Sequence, residues 1–287
     1  MHFLPVFNNV AFPWRQKKLS RLIDADDVAG LKKFLKAHPR AVEWVSVSSP
    51  NQGIFLHAAV EDGKYNAAKV LLEHGARTDK RVWAGHTALQ LALNTIEGST
   101  TSASPEQLHM AQLLLDFGAD INRPDENKRT PLALACWMGN VEAAQFLLDR
   151  GADPKIVGMN GMTLLHDTLL RPEPSVEIAR IVMSTTPDVN AETEFGMTPL
   201  FYAHEVEVAR MLLEAGADPE HVNHAGTKAW SFGLGGDKLK DFIRGYRAER
   251  AAEAKLAEEQ RLAALGAAMH EGVPLPKTKP LVLKKGL

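Results

Sequence analysis

Residues 127–154 read NKRTPLALACWMGNVEAAQFLLDRGADP, and the architecture of the chain can be predicted from this segment. Thr130 is a typical helix N-cap residue, and Pro131 suits the first helical position, where its missing N–H costs nothing. Gly139 ends this helix, and a second apolar face at helical spacing runs on to Gly151, where a left-handed cap favours glycine. The stretch therefore predicts two short antiparallel helices, neither of which can bury its apolar face without neighbours.

Similar segments recur along the chain at a nearly fixed spacing. Threonines open them at positions 87, 130, 163 and 198, and the second helices end in LLEHGARTD, LLLDFGADIN, FLLDRGADP and LLEAGADP. A period near 33 residues with TPLxxA and LLxxGAD resembles the ankyrin-repeat family, and the resemblance covers about residues 20–247. It implies an all-α fold, an ankyrin-repeat solenoid of about six helix-turn-helix units with short β-turn arms and a helical C-terminal extension.

Changes in composition divide the chain into four segments. These are an extended aromatic N-terminal segment (1–18), the repeat domain with its N- and C-terminal capping units (19–247), a charged helix (248–271) and a Pro/Lys-rich tail (272–287). The N-terminal aromatic side chains either cover the apolar end of the first repeat or contact a partner. The charged helix is either a solvated surface helix or a short coiled-coil contact. In the sixth repeat, a short spacing near His204 predicts a clipped first helix.

The third repeat carries an insertion after Leu93, NTIEGSTTSASPEQ, which is rich in Ser, Thr and Gly. We expect a surface loop between the two helices of that repeat. Insertions in repeat proteins fall on exposed edges and often lie near a binding face. The insertion is therefore either a tolerated loop without a role or part of a contact surface.

Composition excludes several classes of function. The net charge of the 287-residue chain is −2, so no overall field favours nucleic acid. The single cysteine, Cys136, excludes an internal disulfide framework and fits a reducing compartment, so we expect a cytoplasmic protein. Apolar runs stay well short of the length of a membrane-spanning helix, so no membrane insertion is expected.

The sequence offers no catalytic motif and no cofactor or metal site. Cys136 occupies a small-residue position of a first helix and is interpreted as core rather than as a nucleophile. His57 and His166 match the TPLH histidine, which the resemblance implies is structural. We therefore predict a protein that is not an enzyme.

The resemblance implies a binding face made of the turn tips and the exposed side of the first helices. Apolar and aromatic residues at such positions predict a partner site. Our candidates are Trp83, His86, Arg129, Trp137, Met138, Met159, Met162 and Phe195. In the alternative interpretations these side chains pack between neighbouring turns, or the aromatic N-terminus occupies the face.

The expected function is thus protein–protein interaction with a partner protein or peptide, with no nucleic acid. Two roles stay open at this point. The chain is a scaffold that recruits its partner, or it is an inhibitor of the immunity or antitoxin type that masks a partner's active surface. Ankyrin repeats do not by themselves specify the partner.

Overall fold

The computed structural model describes residues 13–44, 54–82, 85–93, 102–171, 175–185, 187–231 and 236–270. The aromatic residues before Pro13, the centre of the insertion (94–101) and the tail predicted over 272–287 lie outside these residues.

The described residues contain twelve α-helices, most of them in sequential pairs. Their bounds are Pro13–Asp24 (α1), Val28–Ala37 (α2), Phe55–Glu61 (α3), Tyr65–Glu73 (α4), Ala88–Ala92 (α5), Pro105–Asp116 (α6), Pro131–Met138 (α7), Val141–Asp149 (α8), Leu164–Leu169 (α9), Val176–Ser184 (α10), Val206–Glu214 (α11) and Gly236–His270 (α12). An isolated antiparallel bridge joins Val222 and Lys228. The predicted all-α repeat fold is confirmed.

Local capping explains why the α7–α8 pair forms where the sequence predicts it. The hydroxyl of Thr130 accepts a hydrogen bond from the backbone N–H of Ala133 at 3.1 Å, and Pro131 follows at the first helical position. Gly139 then adopts a left-handed conformation with φ of 76°. Because a residue with a Cβ is strained in that region, glycine is the natural helix stop here.

In the sixth repeat, the first helix is reduced to one 3₁₀ turn, Pro199–Tyr202, as the short spacing predicts.

Two compact units divide the chain. The first contains residues 1–168 and 180–187, and the second contains residues 169–179 and 188–287. The core of the first unit is built from aliphatic side chains such as Leu19, Ile23, Leu31, Leu56, Leu71, Leu89, Leu114 and Leu132. The second unit buries Leu200, Phe201, Leu212, Leu239 and Ile243.

The structure corrects the predicted extended N-terminal segment (1–18) at its end. Residues 13–18 belong to α1, which begins at Pro13. Proline at the first helical position, followed by a run of good helix formers, favours this early start. The side chain of Trp14 is 58% exposed, so this aromatic residue does not cover the end of the first repeat.

The boundary predicted at residue 247 falls inside a continuous helix. α12 runs over 35 residues and includes both the end of the capping unit and the charged helix. Its first turns pack on the second unit: the guanidinium of Arg210 lies 4.8 Å from the ring centroid of Phe242, and Arg247 Nη2 lies 2.8 Å from Glu220 Oε1. Residues 247–263 are all exposed.

Asn140 holds both ends of the insertion in the third repeat. Its Oδ1 caps α8 by accepting from Ala143 N–H at 3.0 Å and also accepts from Ala103 N–H at 3.2 Å. Its Nδ2 donates to the carbonyl of Leu93 at 3.4 Å. A buried turn residue of the fourth repeat thus fixes the points at which the insertion leaves and rejoins the third.

Among the helices that the structure describes, none combines the length and the apolar character needed to span a bilayer.

Candidate protein-binding site

From residue 82 onward, each repeat arm that the structure describes is closed by one backbone hydrogen bond of the same kind. In the first unit, Val82 N–H donates to the carbonyl of His86 at 2.9 Å, Asp125 N–H to Arg129 at 2.9 Å, and Gly158 N–H to Met162 at 2.7 Å. Three of the predicted site residues, His86, Arg129 and Met162, therefore occupy equivalent positions at the base of successive arms. All three side chains are partly buried.

The arm of the fourth repeat differs from the others at its tip. Gly85 and Gly161 take left-handed conformations in their arms, whereas the equivalent residue of the fourth arm is Lys128, with φ of 59°. A lysine pays the steric cost of this conformation, which glycine does not. The carboxylate of Asp125 offsets part of that cost, because its Oδ1 accepts from Arg129 N–H at 2.8 Å and holds the turn.

Arg129 is held between an acid and an aromatic ring. Its Nε donates to Asp167 Oδ1 at 3.2 Å, and its guanidinium carbon lies 4.7 Å from the centroid of the Trp137 ring. Cation–π stacking and a charge-assisted hydrogen bond together leave the guanidinium few alternative rotamers. The side chain keeps 20% of its surface exposed. The site thus presents an oriented cation.

Asp167 is the least expected member of this group, because it is a carboxylate within α9 and is 3% exposed. Burial raises the pKa of Asp167 to about 6, although the nearby Arg129 guanidinium acts to lower it. Loss of hydration therefore outweighs the ion pair. The sequence reasoning missed Asp167; the signal for it was the one acidic residue of the segment TLLHDTLL, which forms the first helix of the fifth repeat.

The expected exposed apolar stripe is only partly present. Met138 is 9% exposed, so its placement on an exposed stripe is wrong. Every residue of α7 is buried except Trp137, which is half-buried. α7 packs against α5 and α8, and Trp137 is the residue of this helix that reaches the surface. Met159, in contrast, is 44% exposed.

The arms of the fourth and fifth repeats lie side by side. A Cβ at Gly158 would lie 3.7 Å from the carbonyl oxygen of Lys128 and 3.7 Å from Oδ2 of Asp167. Met159, the next residue, is therefore adjacent to the arm that carries Arg129. The structure thus brings Arg129, Trp137, Met159 and Met162 into one region of the first unit.

Four of the predicted residues are not part of this region: His86 lies on the arm of the third repeat, and Met138 is buried in α7. Trp83 lies outside the described residues. Phe195 belongs to the second unit, where it stands at the tip of an arm with 56% of its surface exposed. Its carbonyl accepts from His224 N–H at 3.1 Å, which joins it to the next arm of that unit.

The groups that most resemble catalytic residues have structural environments. Burial raises the pKa of the Cys136 thiol to about 12, so the nucleophilic thiolate does not form near neutral pH. Across the part of the chain that the structure describes, no three His, Cys, Asp or Glu side chains are grouped to hold a metal ion.

The two TPLH histidines differ in how well their ring nitrogens are satisfied. Nδ1 of His166 lies 2.8 Å from the Thr163 hydroxyl and accepts from Thr163 N–H at 3.2 Å. At the equivalent position before His57 stands Ile54, and Nδ1 of His57 is buried without a hydrogen-bond partner. Nε2 of His57 bonds to the carbonyl of Lys80 at 3.1 Å, 23 residues along the chain. Both rings serve packing, which agrees with the structural role that the resemblance implies.

Two family models match the chain. The model "Ankyrin repeats (many copies)" matches residues 103–148, and the model "Ankyrin repeat" matches residues 195–224. The first covers the region that contains Arg129 and Trp137, and the second begins at Phe195.

Curated relatives share the same repeats. Ankyrin repeat and SAM domain-containing protein 6 of Rattus norvegicus is 34% identical over 87 residues, 30% of this chain and 10% of that protein. A putative ankyrin repeat protein of Rickettsia bellii is 30% identical over 164 residues, 53% of this chain and 45% of that protein. The chain thus covers less than half the length of either relative.

A solved structure supports the fold. The ankyrin repeat domain of Bcl-3 superposes with a TM-score of 0.63, covering 79% of this chain and 97% of that domain at 20% identity.

Proposed function

Because the chain belongs to the ankyrin-repeat family, we propose that it acts without catalysis by binding a partner protein through the arms of its fourth and fifth repeats. Ankyrin repeats are in general protein-interaction modules. The contact surface we propose consists of Arg129, Trp137, Met159 and Met162. His86 extends this surface along the arm of the third repeat, and Phe195 forms a separate apolar contact in the second unit.

The observation that carries the proposal is the exposure of Met159 on the arm next to the one that carries the fixed Arg129. A methionine at a turn tip gains no stability for the monomer from its exposed surface, and a thioether adapts to irregular apolar partners. Arginine and tryptophan are the residues most enriched among those that dominate interface energies. One region therefore combines an apolar contact, an aromatic ring and an oriented cation.

Arg129 is organised in advance for this role. An arginine side chain that is immobilised on binding costs on the order of 0.5–1.5 kcal/mol. Here the stack on Trp137 and the hydrogen bond to Asp167 already restrict it. Because folding has already ordered the guanidinium of Arg129, binding a partner costs little further conformational entropy at this side chain.

The chemistry of the surface indicates the chemistry of the partner. The partly exposed guanidinium favours a carboxylate or a backbone carbonyl, and Met159 favours an apolar side chain next to it. We propose a partner segment that carries an apolar anchor beside an oxygen acceptor. The buried, unreactive Cys136 agrees with a protein that acts in a reducing compartment such as the cytoplasm.

A quantitative affinity capture from native cell lysate tests the proposal. The baits are the wild type, Met159→Asp, and Leu256→Asp as the matched control, because Leu256 is also an exposed apolar residue but lies on α12. The proposal predicts a partner that is retained by the wild type and the control and reduced at least tenfold with Met159→Asp. Equal capture by all three baits would place the contact elsewhere.

The inhibitor role would use the same surface, and it differs from the scaffold role in what binding does to the activity of the partner. If the captured partner is an enzyme or a toxin, its activity should be lost when the wild type is added and kept when Met159→Asp is added. A partner that keeps its activity in the complex indicates a scaffold.

A further inference from the structure

The first two helices carry a concentration of positive charge that the chain as a whole does not have. Residues 13–37 contain seven Lys and Arg against three Asp, a net charge of +4, whereas the whole chain carries −2. An end unit of a repeat array needs a polar outer surface, but polarity alone does not require one sign of charge.

On α1, the exposed residues form a single stripe. Trp14, Lys17, Lys18 and Arg21 are all exposed, and spacings of three and four residues put them on the same helix face. The opposite face, with Leu19 and Ile23, is buried in the core of the first unit. The stripe therefore points away from that core.

On α2, a second basic face continues the pattern. Leu31, Phe34 and Leu35 are buried, and the exposed lysines 32, 33 and 36 lie on the other side of the helix. α1 and α2 pack against each other, so both faces belong to one capping pair. Lys32 Nζ lies 3.5 Å from Glu73 Oε2. The acids of the pair lie at the α1–α2 turn: exposed Asp24 is the last residue of α1, three residues after Arg21, and Asp26 and Asp27 follow before α2 begins.

Trp14 gives this surface its second property. Its ring is 58% exposed, and the guanidinium carbon of Arg15 lies 5.1 Å from the ring centroid. A large amphipathic ring among lysines and arginines is the residue set of membrane–water interfaces, where the ring sits at headgroup depth and the cations meet phosphates.

We propose that the outer surface of α1 and α2 adsorbs to the anionic headgroups of a membrane, without insertion of a helix. Lysine outnumbers arginine on this surface five to two. Lysines act as point charges toward a diffuse layer of phosphates, whereas specific recognition of one phosphate group favours the arginine fork. Single-stranded nucleic acid is bound on successive aromatic side chains, and Trp14 is the one aromatic residue on the described part of this surface.

The expected strength follows from the number of charges. Each Lys or Arg close to an anionic leaflet contributes about 1 kcal/mol, which is about fivefold in partition. Removal of two of them should weaken the partition about 25-fold. Because the attraction is screened, it should disappear at high salt.

Vesicle co-sedimentation of the full chain tests the proposal, with phosphatidylcholine vesicles that contain either no anionic lipid or about 30% phosphatidylserine. The test variant is Lys17→Gln/Lys18→Gln. The control is Lys155→Gln/Lys238→Gln, which removes the same charge from exposed lysines elsewhere. A further variant, Trp14→Phe, identifies which part of the tryptophan fluorescence is quenched by brominated lipid.

The proposal predicts binding to the anionic vesicles alone, about a 25-fold loss with the test variant, no loss with the control, and bromine quenching that Trp14→Phe abolishes. Equal binding to both vesicles, or equal loss with both double variants, would overturn it. So would tighter binding to a single-stranded oligonucleotide than to anionic vesicles, because the surface would then serve nucleic acid. None of these outcomes depends on the partner site around Met159.

Discussion

Asp167 offers a test in which two physical effects predict opposite signs. Its carboxylate forms an ion pair with Arg129 at 3.2 Å, which by itself would favour the ionised form. It is also 3% exposed, which favours the neutral form. Burial wins and raises the pKa to about 6 from 3.8.

The magnitude follows from linkage between ionisation and folding. One unit of pKa corresponds to 1.36 kcal/mol, so a change of about two units is worth about 3 kcal/mol. Well below pH 3.8 the proton is bound in both the folded and the unfolded state, so the ionisation of Asp167 does not change the free energy of unfolding there. Above pH 6 the folded state holds a buried carboxylate. Asp167 therefore lowers the free energy of unfolding progressively as the pH rises from about 4 to about 6.

The substitution Asp167→Asn removes the titration and keeps the shape. The free energy of unfolding of the variant, relative to the wild type, should rise by about 3 kcal/mol between pH 4 and pH 7. Urea unfolding followed by circular dichroism at several pH values gives this difference. Asp62→Asn, at an exposed position, controls for the loss of one negative charge. The carboxyl ¹³C titration of Asp167 gives the pKa directly.

A result of the opposite sign would show that the ion pair with Arg129, and not burial, dominates the titration of Asp167. If the attraction of Arg129 outweighed the loss of hydration, the pKa of Asp167 in the folded protein would lie below 3.8. The variant would then lose stability relative to the wild type as the pH rises. In that case Asp167 would stabilise the fold as a charged partner of Arg129.

Three further predictions concern the first unit. Burial lowers the pKa of His57 to about 4 from 6.5. As the pH falls from 6.5 to 4, the free energy of unfolding of the wild type, measured by urea titration, should therefore decrease by about 3 kcal/mol relative to that of His57→Gln. Asn140→Ala removes the cap of α8 and the hydrogen bonds to both ends of the insertion; urea unfolding should show a loss of about 2–3 kcal/mol, and a loss below about 0.5 would contradict these bonds. Lys128→Gly relieves the left-handed strain and should raise the free energy of unfolding, measured by urea titration, by about 0.5–1 kcal/mol. A decrease would show that the strain is already compensated.

The sequence was sufficient for the elements whose signals are local. The cap at Thr130, the stop at Gly139 and the 3₁₀ turn at Pro199–Tyr202 are each fixed by neighbouring residues. The start of α1 at Pro13 was missed because an aromatic, proline-broken segment precedes it. The division of the fifth repeat between two compact units depends on contacts between residues distant in sequence, which have no local signal.

For the candidate site, the sequence predicted which residues lie on the arms and on the first helices, but not how buried they are or which residues they contact. Repeat alignment expected Arg129 and Met162 among the turn tips of the binding face, whereas the structure places both at the base of their arms. The alignment gave Met138 an exposed position because the family pattern says which face a residue occupies, not how closely the next repeat covers it. The role of Asp167 depends on a contact across 38 residues of sequence, which only the folded arms create.

Photo-crosslinking tests the proposed contact surface most directly. A photoreactive benzophenone side chain is placed at position 159, and in a second protein at position 256 on α12. Both are exposed apolar positions, so the two proteins differ only in where the probe lies. We expect a covalent adduct with the captured partner from position 159 and none from position 256. Adducts from position 256 alone, or none from position 159 while the partner remains bound, would show that the partner binds elsewhere.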